Sequence, residues 1–229
     1  VITIVLINCS LYITSNLLIY FFKYDIGGAG WNANYVLFNT FGGGIQIISM
    51  MLFYPLFRKF ISAMQVFYVS FVMAIGGYAV LLALMFTNRT NIYILMISGF
   101  FIFTAFGMLT VLTTVFLANT VDYGELKNNR RDESVIFSMQ TFVVKLASGV
   151  AAMIASICLT ISNISNDTST EAAAMVSDSY TSVAVLRMTM TVLPIIGLLV
   201  AVFIFAKKYI LTDEKLGEIN QELAHRHKA

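Results

Sequence analysis

IYILMISGFFIFTAFGMLTVLTTVFL, residues 92–117, contains no charged side chain. At about 1.5 Å per residue, roughly 20 apolar residues cross the hydrocarbon of a bilayer as one helix. Residues 92–117 therefore predict a spanning helix, and the rest of the sequence repeats the pattern. Five further apolar runs cover roughly residues 2–22, 35–57, 64–86, 135–161 and 183–206. The chain has 229 residues, of which 59% are hydrophobic and 11% charged, whereas soluble domains carry about 25% charged residues. The fold class that follows is an all-α membrane protein with six transmembrane helices. Residues 1–206 would form the bundle and residues 207–229 a tail. A net charge of +2 gives no electrostatic basis for binding nucleic acid. Cys9 and Cys158 both lie in apolar runs and read as small buried hydrophobes. The sequence opens at Val1, already inside an apolar segment, so a missing upstream portion is expected.

Basic residues in alternate connections give the orientation. Arg58, Lys59, Lys127, Arg130, Arg131, Lys207, Lys208, Lys215, Arg226 and Lys228 fall on one side, against Lys23 and Arg89 on the other. This asymmetry predicts that both ends of the chain, the 118–134 connection and the tail are cytoplasmic. In the tail, Leu216, Ile219 and Leu223 recur at helical spacing after a possible cap at Thr212. They predict a short amphipathic helix, either resting on the membrane interface or binding a partner.

Charge inside a span is costly and marks function by default. Lys145 stands about ten residues, some 15 Å, into the fifth run. At 100° per residue, Ser138 and Ala152 lie within about 20° of it, and Thr141 and Gly149 within about 40°. This polar or small face reads as the wall of a hydrated cavity; the structural alternative is a tight helix seam. Gln140 falls about 140° away and should face a flank or another helix. No Asp or Glu lies within the six runs, so a counter-charge for Lys145 is expected from another segment, and no metal site from this chain. Arg187, near the outer end of the last run, reads as an interface anchor. Pro194 should free a backbone carbonyl in the middle of the same helix. Among scattered polar residues of the first two runs, Asn16 and Asn39 are the least easily assigned to packing. The 118–134 connection holds Asp122, Glu125, Lys127, Arg130, Arg131, Asp132 and Glu133, a mixture suited to ion pairs that lock one conformation.

The segment ANTVDYGELK at 118–127, Arg130-Arg131-Asp132-Glu133, and FSMQTFVVK at 137–145 together resemble the signature of the glycoside-pentoside-hexuronide cation symporters, the melibiose permease-like family. The likeness extends more weakly along the chain, including Ser15-Asn16 and Tyr20 to Tyr24. It implies the carboxyl-terminal six-helix half of a twelve-helix major facilitator protein, with a missing amino-terminal half as its partner. The activity implied is uptake of a glycoside coupled to Na⁺, Li⁺ or H⁺ by alternating access, in a cell membrane and without a cofactor. Carried onto this sequence, the resemblance implies that Lys145 lies beside the sugar and cation sites with Gln140 and Thr141, and that the cation carboxylates belong to the other half. From the residues themselves, Ser138, Thr141 and Gln140 could pair with sugar hydroxyls. Asp122, Glu125, Arg130, Arg131 and Glu133 would form a cytoplasmic gate network. Asn119 stands where the family commonly has Asp, removing one charge from that network. A channel or scaffold subunit is the competing reading. A membrane-embedded enzyme is weaker still, because the two histidines, His225 and His227, lie in the tail.

Overall fold

The computed structural model describes residues 1–87, 91–128, 132–162, 164, 180–209 and 213–226, and their regular structure is entirely helical. Among the described residues, six helices are long and apolar enough to cross a membrane. They are α1 (Ile2–Ile26), α2 (Trp31–Phe60), α3 (Ala63–Phe86), α4 (Ile92–Asn128), α5 (Glu133–Ile161) and α6 (Tyr180–Lys208). A seventh, α7 (Asp213–Arg226), is the amphipathic tail helix.

Several helices outrun their apolar runs. The 118–134 connection is helical through Asn128, so Asp122 and Glu125 sit on a continuation of α4 rather than in a loop. Likewise α1 continues through a π-helical stretch, Phe21–Ile26, that takes in Lys23 and Asp25. Hydrophobicity ends where the bilayer does, but backbone hydrogen bonding has no reason to stop there. The absence of acids from the spans is thus corrected: Asp25 is helical and lies within the first spanning helix.

The core forms where α4 packs between α2 and α3, and where α1 packs against α5 and α6. With apolar lipid outside, helices associate through close van der Waals contact, which favours small residues at the seams. A Cβ added to Gly107 of α4 would stand 2.7 Å from the Gln46 carbonyl oxygen and 2.7 Å from Ser49 Cβ on α2. One added to Gly77 of α3 would stand 2.7 Å from Ile102 Cγ1 on α4. At the first of these contacts α2 itself opens into a π-helical segment, Ser49–Phe53, and Ser49 Oγ donates to the Thr104 carbonyl at 2.6 Å. Helix α5 is held by a narrower stripe: Val143, Ala147, Ala151, Ala155 and Cys158 are buried. Outward-facing Val72, Ile97, Met153 and Phe203 are exposed, as lipid contact requires.

Polar clasps join α1 to α6. Pro194 has no N–H for the carbonyl of Met190 one turn earlier. Thr14 of α1 supplies the donor instead, its Oγ1 lying 3.1 Å from Met190 O. Tyr78 Oη of α3 is 2.8 Å from the same hydroxyl. The Thr14 hydroxyl also lies 3.3 Å from the Ser10 carbonyl of its own helix, so these groups form one buried hydrogen-bond cluster. Nearer the amino-terminal end of α6, Arg187 makes a bidentate pair with Asp25, Nε to Oδ2 at 2.7 Å and Nη2 to Oδ1 at 2.6 Å. Phe86 of α3 lies beneath the guanidinium, 5.9 Å from its ring centroid. Both side chains are largely buried, 11% and 3% exposed, so Arg187 is an internal ion pair and not the interface anchor expected. Its partner lies on the stretch of α1 beyond the apolar run, which hid it from the charge count.

At the other end, the rings of Phe67, Phe116, Phe205 and Tyr209 cluster between α3, α4 and the end of α6. The tail helix docks beside them: Ile219 is buried against Tyr123, Leu126, Tyr209 and Leu216. Thr212, the expected cap, lies outside the described residues, as do Arg130 and Arg131. Cys9 is half-buried, Cys158 is buried, and both are free thiols.

Candidate functional site: an uncharged cleft

Four of the helices present a polar face to one space. On α1 this face is Asn8, Tyr12 and Ser15; on α2 it is Asn39, Gly43 and Gln46. Each set has the spacing i, i+4, i+7, which keeps three residues on one side of a helix. Helix α4 adds Phe103, Phe106, Thr110 and Thr113, and α5 adds Gln140 and Val144. Together with Ile7 and Leu11 they enclose a cleft of about 480 Å³, within the roughly 300–1,000 Å³ typical of small-molecule sites. Helices α3 and α6 contribute nothing to its lining. They stand behind α1 and α4 as backing.

None of the described residues that line the cleft is charged. Its polar groups are amides and hydroxyls, which both donate and accept hydrogen bonds. Some are committed within the chain: Asn8 Nδ2 donates to the Ile4 carbonyl at 2.8 Å, and Gln140 Nε2 reaches Thr114 Oγ1 at 3.4 Å. Thr110 donates to the Phe106 carbonyl at 2.7 Å. The side chains of Asn39 and Gln46 make no hydrogen bond to another described residue, and face the opening.

The residues singled out on α5 divide. Gln140 is half-buried and lines the cleft. Lys145, Ser138 and Thr141 are exposed on the side of α5 turned away from the Val143–Ala147–Ala151 stripe, and Thr141 Oγ1 donates to the Phe137 carbonyl at 3.1 Å. The packing seam of α5 is therefore not the face that bears Lys145. Asp122 and Glu125 are half-buried on α4 beside the tail helix, while Glu133 is exposed in the first turn of α5. Asn16 is exposed and outside the cleft lining, whereas Asn39 is in it. Asn8, Tyr12, Ser15 and Gln46 were not assigned to a site from the sequence. The signal that finds them is the shared i, i+4, i+7 spacing on two consecutive spans.

Six spanning helices that hold an uncharged polar cleft against an apolar backing have the form of one half of a major facilitator transporter. Residues 1–213 match the family described as MFS/sugar transport protein, and the chain belongs to that family. It is 32% identical over 209 residues to a lactose permease of Lactobacillus delbrueckii subsp. bulgaricus, covering 90% of this chain and 31% of the permease. It is 28% identical over 218 residues to a raffinose carrier protein of Pediococcus pentosaceus, covering 92% of this chain and 31% of the carrier. An uncharacterised symporter of Bacillus subtilis is 24% identical over 213 residues, with 92% of this chain and 42% of the symporter covered. The chain thus spans about a third of the first two relatives and somewhat more of the third. The family is one of transporters, which sets aside the membrane-enzyme reading.

Proposed function

We propose that this chain is the carboxyl-terminal half of a cation-coupled glycoside symporter, working by alternating access together with an amino-terminal half. The observation that carries the proposal is the uncharged cleft: a sugar presents many hydroxyls and no net charge, and amides and hydroxyls match it without a field. Naming of relatives as lactose and raffinose carriers supports the same substrate class.

In this reading Gln140, with Thr141 and Ser138 on the adjoining face of α5, forms the sugar-contacting edge. Lys145 sets the coupling. An exposed ammonium in mid-span is unstable against lipid, and its exposure here fits a face covered by the other half. Carboxylates on that half would bind Na⁺, Li⁺ or H⁺, and the charge balance with Lys145 would then depend on whether the cation is present, linking the two ligands reciprocally. Asp122, Glu125 and Glu133, with Arg130 and Arg131, would hold the cytoplasmic side closed in one state and release it in the other. Both ends of the chain are assigned to the cytoplasm on the charge asymmetry.

The test is uptake of radiolabelled galactoside into vesicles containing the full-length transporter, with and without a Na⁺ or proton gradient. Gradient-driven accumulation in the wild type that is lost in Lys145→Ala is the expected result. Accumulation that persists undiminished in the variant would remove Lys145 from the coupling site, and absence of gradient-driven uptake for any galactoside would remove symport.

A further inference from the structure

The cleft has two unlike walls. On the α5 side Gln140 is tethered to Thr114, and Val144 adds an apolar side chain to the lining. On the α2 side two amides, Asn39 and Gln46, flank a residue with no side chain, Gly43, and neither amide makes a side-chain hydrogen bond to another described residue. A Cβ added to Gly43 would meet nothing within 4 Å, so no packing contact accounts for the glycine. Its neighbour Gly42 is different: there an added Cβ would run into the ring of Phe103 on α4. Gly42 lets α2 approach α4, and Gly43 leaves a bare, half-buried floor one residue further round the helix.

The α2 wall is also held in place. Gln46 lies one turn before the π-helical Ser49–Phe53 segment, where the Ser49 to Thr104 hydrogen bond and the close approach of Gly107 pin α2 to α4. Widened turns of this kind re-aim the side chains around them. Amides held at fixed positions over an empty floor are what a polar ring needs: an apolar-sized gap for its bulk, and donor–acceptor pairs at both sides for its hydroxyls.

We infer that the Asn39–Gly43–Gln46 wall is a second saccharide subsite, which receives the ring of a di- or trisaccharide remote from α5. This rests on the sugar-transport reading and goes beyond it by assigning chain-length selectivity to α2. Gly43 is the residue that sets selectivity, because its missing side chain is the room the second ring occupies.

Gly43→Leu tests this directly, since the new side chain enters open space and not packed protein. Binding of lactose, raffinose and methyl β-galactoside to the purified full-length transporter would be measured by titration calorimetry. The inference expects the affinity for lactose and raffinose to fall by about tenfold or more, with methyl β-galactoside changed by less than about twofold. Retained monosaccharide binding also shows that the variant is folded. Asn39→Leu and Gln46→Leu should each weaken the two longer sugars alone, by a smaller factor. Equal loss for all three sugars, or no loss for any, overturns the subsite while leaving sugar transport standing. A wild type that binds none of the three overturns the sugar reading itself, and the subsite with it.

Discussion

The two sides of α1 treat their polar residues in opposite ways. Toward α3 and α6, every polar group singled out above is matched: Thr14 to Met190 and Tyr78, Asp25 to Arg187. Toward the cleft, Asn8 bonds only to its own helix, and Tyr12 and Ser15 share an opening with Asn39 and Gln46, whose side chains make no hydrogen bond to another described residue. A buried polar group without a partner is expensive in a membrane, so the matched side is a frame that resists deformation. In the proposed reading, the cleft side keeps hydrogen-bonding capacity for a ligand. Frame and cleft therefore make different predictions for the same kinds of substitution.

The largest effect is expected at the buried ion pair. Arg187→Leu leaves Asp25 buried without its counter-charge and should destabilise the full-length protein by about 3–5 kcal/mol, read from thermal unfolding in detergent. Adding Asp25→Leu should recover much of that loss, because the penalty is the stranded charge rather than the missing attraction. If the double variant is no more stable than the single, the pair is not an isolated clasp.

Glycines offer a sharper contrast, because one substitution is made on both sides. Gly107→Ala drives a methyl to 2.7 Å from a carbonyl oxygen and from Ser49 Cβ, and should cost about 1–3 kcal/mol as α2 is pushed from α4. Gly43→Ala meets nothing and should be neutral or stabilise by up to about 1 kcal/mol, through the better helix propensity of alanine. Melting curves that moved in the same direction for both would contradict the division between seam and cleft.

Next in size is the hydroxyl clasp at Pro194. Thr14→Val should cost about 1–2 kcal/mol, since it deprives both the Met190 carbonyl and the Tyr78 hydroxyl of a partner. In a Pro194→Ala background the restored N–H can serve Met190, so the same Thr14→Val change should cost measurably less. A double-mutant cycle on unfolding free energies checks it, and strict additivity would show that the proline is not the reason for the hydrogen bond.

The contrast also explains which features could be read from the sequence. Spanning helices were legible because bilayer thickness converts directly into run length, and residues 92–117 suffice to show it. Pro194 was legible as a freed carbonyl, since the missing N–H is a local fact. What accepted the debt was not, because Thr14 lies 176 residues away and serves Met190 only through tertiary packing. Arg187 was misread for a related reason: Asp25 belongs to a helical extension that no hydropathy window marks. Within the cleft, Asn39 stood out as an amide in a span, yet Gln46 and Gly43 acquire meaning only once α2 is seen to face α1 and α5 across an opening. Helical spacing puts the polar stripe around Lys145 on one face, but nothing along one helix says whether such a face meets its own bundle or another one.

That last ambiguity supplies the smallest predicted effect on stability. In the six-helix unit Lys145 is exposed, and α5 is anchored through Val143, Ala147, Ala151 and Ala155 on its other side. Were Lys145 part of the frame, its removal should resemble Arg187→Leu. If instead, as proposed, it faces carboxylates of another half across a hydrated gap, it would contribute less than about 1 kcal/mol to unfolding in detergent, because water screens the pair. Lys145→Ala should therefore leave the melting transition of the full-length protein almost unmoved while changing how sugar binding responds to added Na⁺ or to pH. Sugar affinity titrated across cation concentrations separates the possibilities: loss of the cation dependence with an intact melt assigns Lys145 to the uncommitted side, and a collapsed melt moves it to the frame.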